Sequence, residues 1–425
     1  MKAAFITLGC KVNQYESEAV AQKLKAIGYE IVDSKADADV YVINSCTVTA
    51  ESDRKTRQTV RRIKKQHPDS TVVLTGCMPQ AFPDDALNLQ EADIVTGNKL
   101  NSKIPYLLKQ YNGERLSLLE PHKSGEPFCC DMVSSFRERT RATLKIEDGC
   151  NRFCSYCIIP YARGRVRSKP IDVIAQEAQT LAKAGYKEIV LVGINLSAYC
   201  DSTGARLADA VSAAAKPDGI SRVRLGSLEP DHITDEVISA LSKEPKFCPQ
   251  FHISLQSGCD STLKRMNRKY TCDEYRTLCS KLRSVFHDAT ITTDVMVGFA
   301  GETKEDFETS LRFVEEIGFE KVHVFPYSKR AGTPAAKMSD QVEKSEKERR
   351  ACVMAAKAEE IRKTFLESQV GKTLEILPEE FGKDGFIHGY TANYTPVKIK
   401  ADIPYDRLVK VKVTRVDDDC CIAIL

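Results

Sequence analysis

The sequence predicts an α/β protein in three parts: an amino-terminal domain built on a parallel sheet, a central partial (β/α)6 barrel, and a small antiparallel β-barrel at the carboxyl end. Three observations predict it. Short apolar runs alternate with longer helix-period segments through residues 1–125, and again through residues 136–366. Residues 367–425 switch to a strand period with turn residues between the runs. At 425 residues, 42% hydrophobic and 28% charged, the chain is globular in composition and too long for one ordinary domain.

In the first part, residues 3–8, 40–44 and 71–75 are the expected strands, and each runs into a cysteine: Leu8-Gly9-Cys10, Asn44-Ser45-Cys46 and Thr75-Gly76-Cys77. A parallel sheet puts all three thiols at its carboxyl edge, where open α/β sheets gather ligands. Adjacent strand ends lie about 5 Å apart, so residues far apart in sequence can form one three-thiol set. Three free thiols that end strands are the alternative. Residues 54–67 carry seven Lys or Arg and no acid, which suits either phosphate contact or a solvated helix face. Gly113, Pro121, Gly125 and Pro127 mark a linker, in which Cys129 and Cys130 are incidental.

In the second part a strand over 142–147 leads directly into Cys150, Cys154 and Cys157. Later strands fall at 188–192, 223–225, 251–255, 291–297 and 322–325, with helices over 171–184, 205–214, 234–242, 275–285 and 304–317. Six units leave a barrel open on one side, wide enough for a macromolecular substrate, and its site belongs at the carboxyl ends of the strands. Those ends carry Gly193 and Asn195, then Ser227 and Glu229, then Gln256, Ser257 and Gly258, then Gly298, Gly301 and Glu302. Asp294, within its strand, is a candidate satisfied inward residue. Residues 344–366 form a charged helical segment outside the barrel.

The three-then-two spacing of Cys150, Cys154 and Cys157, in a chain with no sign of secretion, reads as metal ligation rather than disulfide halves. Sixteen cysteines in a reducing compartment favour the same reading. Three thiolates on a short loop, rather than four, suit a [4Fe–4S] cluster with one iron left open. A three-thiolate zinc knuckle or three buried thiols are the alternatives. No run of eighteen apolar residues exists, and the first residues enter a strand rather than a signal peptide, so a cytoplasmic protein without a membrane span is expected. A net charge of +3 gives no whole-chain field for nucleic acid, so any basic surface is local. Arg163, Arg165 and Arg167, beside Tyr161, suit phosphate and base contacts, or else neutralise the anionic cluster loop.

In the third part, strands over 371–377, 385–391, 395–400, 408–414 and 421–425 make the small barrel. Phe386, Tyr390 and Tyr394 suit stacking on unpaired bases. Eight Lys or Arg against nine Asp or Glu over residues 371–425 give no basic field there, and a structural barrel packed on the core is the alternative.

The Cys150–Cys157 loop resembles that of the radical S-adenosylmethionine superfamily. The segments around Cys10, Cys46 and Cys77 look like the amino-terminal domain of the radical methylthiotransferases, and Gly389-Tyr390-Thr391-Ala392-Asn393-Tyr394 resembles a TRAM domain, an RNA-binding barrel. Pro79, Ala300 and Ala331 depart from the family's commoner residues without touching a ligand position. The resemblance implies two [4Fe–4S] clusters, one on Cys150, Cys154 and Cys157 for radical generation and an auxiliary one on Cys10, Cys46 and Cys77 for sulfur chemistry. It implies S-adenosylmethionine held at Gly193, Asn195, Ser227, Glu229, Gln256, Ser257 and Gly298. A tRNA substrate, contacted by Arg163, Arg165, Arg167, Tyr390 and Tyr394, is implied too, with an electron donor such as a flavodoxin or ferredoxin. No oligomeric state follows. Lys11-Val12-Asn13 and the Ala162-Arg163-Gly164-Arg165 pattern are similar to the branch that acts on threonylcarbamoyladenosine in tRNA. The isopentenyladenosine and ribosomal-protein branches are the alternatives within the family. A cluster-bearing RNA-binding protein without turnover is the alternative outside it.

Overall fold

The computed structural model describes residues 1–136, 140–405 and 407–425; residues 137–139, at the start of the expected central part, and residue 406, in the terminal barrel, lie outside the described residues.

Six parallel strands form the amino-terminal sheet: β1 (Lys2–Thr7), β2 (Glu30–Val32), β3 (Val40–Ser45), β4 (Thr71–Gly76), β5 (Ile94–Thr96) and β6 (Leu116–Leu118), in the order β2-β1-β3-β4-β5-β6. All six residues of β3 are buried, as expected of a parallel strand covered on both faces. Three strands, β2, β5 and β6, are additional to the sequence expectation. Each is three residues long, too short to carry a period. Helix α1 (Lys11–Ala26) follows β1, and α2 (Ala50–Gln66) follows β3. Thr49 caps α2 by accepting from the Ser52 N–H. The cation-rich stretch lies on this helix. Arg54, Arg61 and Lys64 are paired with Glu51, Glu91 and Asp93, while Thr56, Val60 and Ile63 form the buried stripe.

The central part comprises β7 (Arg141–Lys145), β8 (Glu147–Asp148), β9 (Arg167–Ser168), β10 (Glu188–Val192), β11 (Arg222–Leu225), β12 (Ser227–Leu228), β13 (Gln250–Ile253), β14 (Thr290–Val297) and β15 (Lys321–Pro326). Strands β8 and β9 pair antiparallel and tie the two ends of the cysteine loop together. Strands β11 and β12 are one strand interrupted at Gly226: β11 pairs with β10 and β12 with β13, all parallel. Six parallel strand positions, β7, β10, β11/β12, β13, β14 and β15, therefore follow in order through two sheets, β7-β10-β11 and β12-β13-β14-β15, joined through Gly226, with β7 and β15 at the outer ends. Capping boxes at Thr271 and Thr303 start the helices Cys272–Val285 and Lys304–Ile317. The long helix Lys344–Glu367 packs on β15 and buries Arg350, whose guanidinium pairs with Glu302.

The terminal part is a closed barrel of β16 (Thr373–Phe381), β17 (Ile387–Thr391), β18 (Pro396–Ile399), β19 (Val409–Asp417) and β20 (Cys420–Ile424), ordered β16-β17-β18-β20-β19. Strands β18 and β20 pair parallel, so the barrel is mixed rather than wholly antiparallel. Its turn after β17 docks against the starts of the central strands. The Arg222 Nη1 donates to the Tyr390 carbonyl at 3.0 Å, the Arg224 Nη1 to the Ala392 carbonyl at 2.8 Å, and the Thr290 hydroxyl to the Asn393 carbonyl at 2.6 Å. Among the described residues no helix is long and apolar enough to cross a membrane.

Candidate cluster and cofactor site

The first three cysteines sit where β1, β3 and β4 end, as parallel topology requires. Cys10 caps the start of α1, Cys46 follows β3 and Cys77 opens a short helix, α3 (Cys77–Ala81). A buried amide pair fixes their backbone. Asn13 Nδ2 donates to Asn44 Oδ1 at 2.9 Å and to the Ser45 carbonyl at 3.2 Å, and Asn44 Nδ2 donates back to the Asn13 carbonyl at 2.9 Å. Gly76 has φ of +100°, and a Cβ there would lie 2.5 Å from Asn44 Oδ1 and from the Ser45 backbone. Only glycine fits that turn. The thiols receive donors: Val48 N–H lies 3.5 Å from Cys46 Sγ, and Asn98 Nδ2 lies 3.7 Å from Cys77 Sγ.

The second set lies on the loop between β8 and β9. The Cys150 N–H donates to the Gly164 carbonyl at 3.0 Å, and Gly149, at φ of +85°, has the Arg165 carbonyl 2.0 Å from where a Cβ would sit. Cys150 accepts from the Arg152 N–H at 3.5 Å and Cys154 from Arg268 Nη1 at 3.3 Å. Burial pushes the Cys150 and Cys157 thiols up to about 12, with the neighbouring thiol of Cys154 adding to both, and pushes Cys77 to about 11 against the opposing charge of Arg163. A bound metal would stabilise these sulfurs as thiolates. Among the described residues no three His, Cys, Asp or Glu side chains converge tightly enough for a single metal ion. Thiolates that each take a different iron of a cluster need no common centre.

The strand-end residues divide into two groups. Gly193 and Ser227 line a cavity of about 880 Å³ inside the partial barrel, together with Gly9 to Val12 of the first domain, Arg224, His252, Asp294, His323 and the ring pair Tyr390 and Tyr394. Gly193 passes so close to Glu147 that a Cβ would meet its Oε2 at 2.5 Å. Glu147 is fully buried and accepts from the Asn195 N–H at 2.7 Å; burial, with the charge of Asp148 adding to it, pushes its carboxyl up to about 8. Glu147 Oε1 and Asn195 Oδ1 are buried without a partner. Two orphaned acceptors beside the cysteine loop fit the ammonium and hydroxyl donors of S-adenosylmethionine. Glu229 receives Arg268 Nη2 at 2.5 Å, so one guanidinium joins Glu229 to Cys154. Arg268 carried no motif signal, since its partners come from other strands.

Gln256, Ser257 and Gly298 do not line that cavity. Gln256 bridges to Val295 with φ of +65°. The Ser257 hydroxyl accepts from the Cys259 N–H at 3.3 Å. The Gly298 N–H donates to Glu302 Oε1 at 2.8 Å, and Lys347 of the long helix covers its flank.

Two of the three arginines expected to meet RNA are engaged inside the protein. Arg163 is 1% exposed and makes a bidentate pair with Glu16 of α1, at 2.7 and 3.0 Å, and a bond to Asp148 at 3.1 Å. Lys145 joins the same two carboxylates at 2.7 Å each. Burial opposes ionisation of Glu16 and Asp148, but Arg163 and Lys145 outweigh it and hold both carboxyls well below the usual range. This is the charge-neutralising role, not a phosphate contact. Arg167 donates to the Arg163 and Arg165 carbonyls, both at 2.9 Å, and is committed to the loop. Arg165 is exposed and lies over the Phe153 ring at 4.6 Å. Tyr390 and Tyr394 form no outward platform. They stack on each other at 4.5 Å and 16°, with Arg224 4.7 Å over Tyr394, facing the barrel interior. A second clasp, Arg330 to Thr47 at 2.8 Å and to Asp53 at 2.5 Å, fixes the loop after β15 beside Cys46.

A partial barrel with a three-cysteine loop at its strand ends, coupled to a cysteine-edged parallel sheet and a small β-barrel, defines a radical S-adenosylmethionine protein with two accessory domains. Residues 2–97 match the Uncharacterized protein family UPF0004, residues 144–314 the Radical SAM superfamily and residues 367–420 the TRAM domain. The chain is 41% identical to the Threonylcarbamoyladenosine tRNA methylthiotransferase MtaB of Bacillus subtilis (strain 168), over 97% of this chain and 93% of that protein. It is 40% identical to the MtaB of Thermotoga maritima, over 91% and 89%. A tRNA-2-methylthio-N(6)-dimethylallyladenosine synthase of Clostridium novyi (strain NT) is 34% identical over 96% and 93%. The radical S-adenosylmethionine methyltransferase TsrM of Kitasatospora setae shares the fold, with a TM-score of 0.57 at 14% identity, over 79% of this chain and 77% of that one. The chain belongs to the radical S-adenosylmethionine methylthiotransferase family, and with it go an iron–sulfur cluster and S-adenosylmethionine as cofactors.

Proposed function

We propose that this protein is a tRNA methylthiotransferase that adds a methylthio group to C2 of N6-threonylcarbamoyladenosine beside the anticodon. The observation that carries the reading is the single cavity whose walls include Cys10 on one side and the strand ends Gly193 and Ser227 on the other. A base held there lies beside Cys10 of the first cysteine set and against strand ends at which S-adenosylmethionine is expected. The names of the relatives at 41% and 40% identity, and the TRAM match, support a tRNA substrate and this branch.

Two clusters are part of the proposal, on Cys150, Cys154 and Cys157 and on Cys10, Cys46 and Cys77. S-adenosylmethionine sits against Gly193, Asn195, Ser227 and Glu229. Bound there, these groups supply the one-electron chemistry that an aromatic carbon with no acidic proton requires. The chain's own residues do the rest. Arg268, the Arg152 and Val48 N–H groups and Asn98 donate to thiolate sulfurs, which stabilises their charge and tunes potential. The Arg163 and Arg330 clasps hold the amino-terminal sheet rigidly on the barrel, so the two cysteine sets keep one separation. Arg165, exposed on the cysteine loop, is the arginine left to meet RNA. A cytoplasmic location and a small electron donor such as a flavodoxin or ferredoxin complete the reading.

Anaerobic reconstitution tests it. Roughly eight irons per chain and cleavage of S-adenosylmethionine on reduction are expected. About four irons, with no cleavage, rejects the two-cluster mechanism.

A further inference from the structure

The cavity that carries the proposed function has a charge pattern that nothing in the cluster chemistry needs. Its polar lining includes the cations Lys11, Arg224 and Lys321 and the acid Asp294. Most of these already have partners. Arg224 Nε is bonded to Glu188 at 2.8 Å, Lys321 reaches Asp419 at 3.2 Å, and Asp294 lies 3.4 Å from His252 Nε2. Lys11 differs. Its side chain is exposed at the cavity wall, one residue after Cys10. The carboxylates on its side are already taken, Glu188 by Arg224 and Glu379 by Arg141. Glu380 lines the adjoining recess with Lys11 but makes no ion pair with it among the described residues. An ammonium at the wall of a partly enclosed space, with no ion pair of its own among the described residues, is a receptor for an anion, because a ligand that fills the space strips its water and a paired carboxylate offsets that loss.

We infer that Lys11 is a specificity-determining residue that binds a carboxylate carried on the N6 substituent of the target adenine. The inference rests on the proposed function, and sharpens it: the site takes an anionic amino-acid substituent and rejects an uncharged, isoprenoid one. The position next to Cys10 fits this. C6, which bears the N6 substituent, is separated from C2 only by N1, so a carboxylate pinned by Lys11 orients that edge of the ring within the cavity rather than merely retaining it. An isoprenoid group in the same place would leave the ammonium desolvated and unpaired, which is discrimination by penalty as well as by attraction.

The test uses the full-length, reconstituted protein and three anticodon stem-loop RNAs. They carry, at the same nucleoside, threonylcarbamoyladenosine, its threonyl carboxamide, or dimethylallyladenosine. Wild type is expected to bind the carboxylate RNA roughly 10- to 100-fold more tightly than the carboxamide RNA. Lys11→Met should abolish that preference with little change towards the carboxamide RNA, and Lys11→Arg should restore most of it. Iron content measured on each variant separates a binding effect from loss of the neighbouring cluster. Should wild type bind carboxylate and carboxamide RNAs equally, the inference is overturned without recourse to any variant. It is likewise overturned if Lys11→Met keeps its iron and keeps the preference, while methylthiolation of the carboxylate RNA by wild type leaves the proposed function standing. Methylthiolation of the dimethylallyl RNA alone would overturn both.

Discussion

Replacing Arg163 with methionine removes a guanidinium that is 1% exposed and serves two buried carboxylates, Glu16 on α1 and Asp148 beside the cysteine loop. Removing one partner of a buried ion pair costs about 3–5 kcal/mol, because the charges left behind stay desolvated. Lys145 remains 2.7 Å from both carboxylates, so one cation still serves two anions and the lower end, about 3 kcal/mol, is expected. That corresponds to amide hydrogen exchange roughly 100-fold faster in α1 and in residues 159–163, which the pair holds together. The variant also changes the acid response. In the folded state both carboxyls lie below their ordinary values, so the folded chain binds fewer protons than the unfolded one at acid pH. Their contribution is therefore present at neutral pH and lost as pH falls below about 4, and Arg163→Met should flatten that loss. Protection unchanged in α1, together with tRNA affinity whose logarithmic salt slope drops by about one, would refute the reasoning and return Arg163 to the RNA interface.

Two further outcomes are expected. Glu147, with its carboxyl raised to about 8 by burial, binds a proton on folding, so stability should fall as pH rises from about 4.5 towards 8; Glu147→Gln should remove that slope in chemical denaturation. Arg268→Met removes the donor on Cys154 Sγ at 3.3 Å and should move the cluster potential to more negative values, by roughly tens of millivolts in an EPR-monitored redox titration; Arg268→Lys should recover part of the shift, and an unmoved potential would count against the contact.

The parts of this site that follow strand order were legible in the sequence. Cys10, Cys46 and Cys77 end successive parallel strands, and topology alone brings such ends together. The Cys150–Cys157 loop is local and needs no tertiary information. What could not be read is what other elements supply. Arg163 looked like a surface cation because its counter-charge, Glu16, lies 147 residues away. Arg268 joins Glu229 to Cys154 without any spacing to mark it. Tyr390 and Tyr394 have the composition of a base-stacking platform, but the docking of the terminal barrel on the starts of β11 and β14 turns them inward. Lys11 stood in a legible motif, and only the cavity gave it a direction.

The central claim is that both cysteine sets act on one tRNA base. Nucleoside mass spectrometry of tRNA from a strain lacking the protein, complemented either with the intact chain or with a Cys10→Ala, Cys46→Ala, Cys77→Ala variant, tests it most directly. The account predicts that 2-methylthio-threonylcarbamoyladenosine disappears in the strain, returns with the intact chain and stays absent with the variant, while unmethylthiolated threonylcarbamoyladenosine accumulates. Persistence of the methylthiolated nucleoside in the deletion strain, with no second enzyme to account for it, or its return with the variant, would contradict the account.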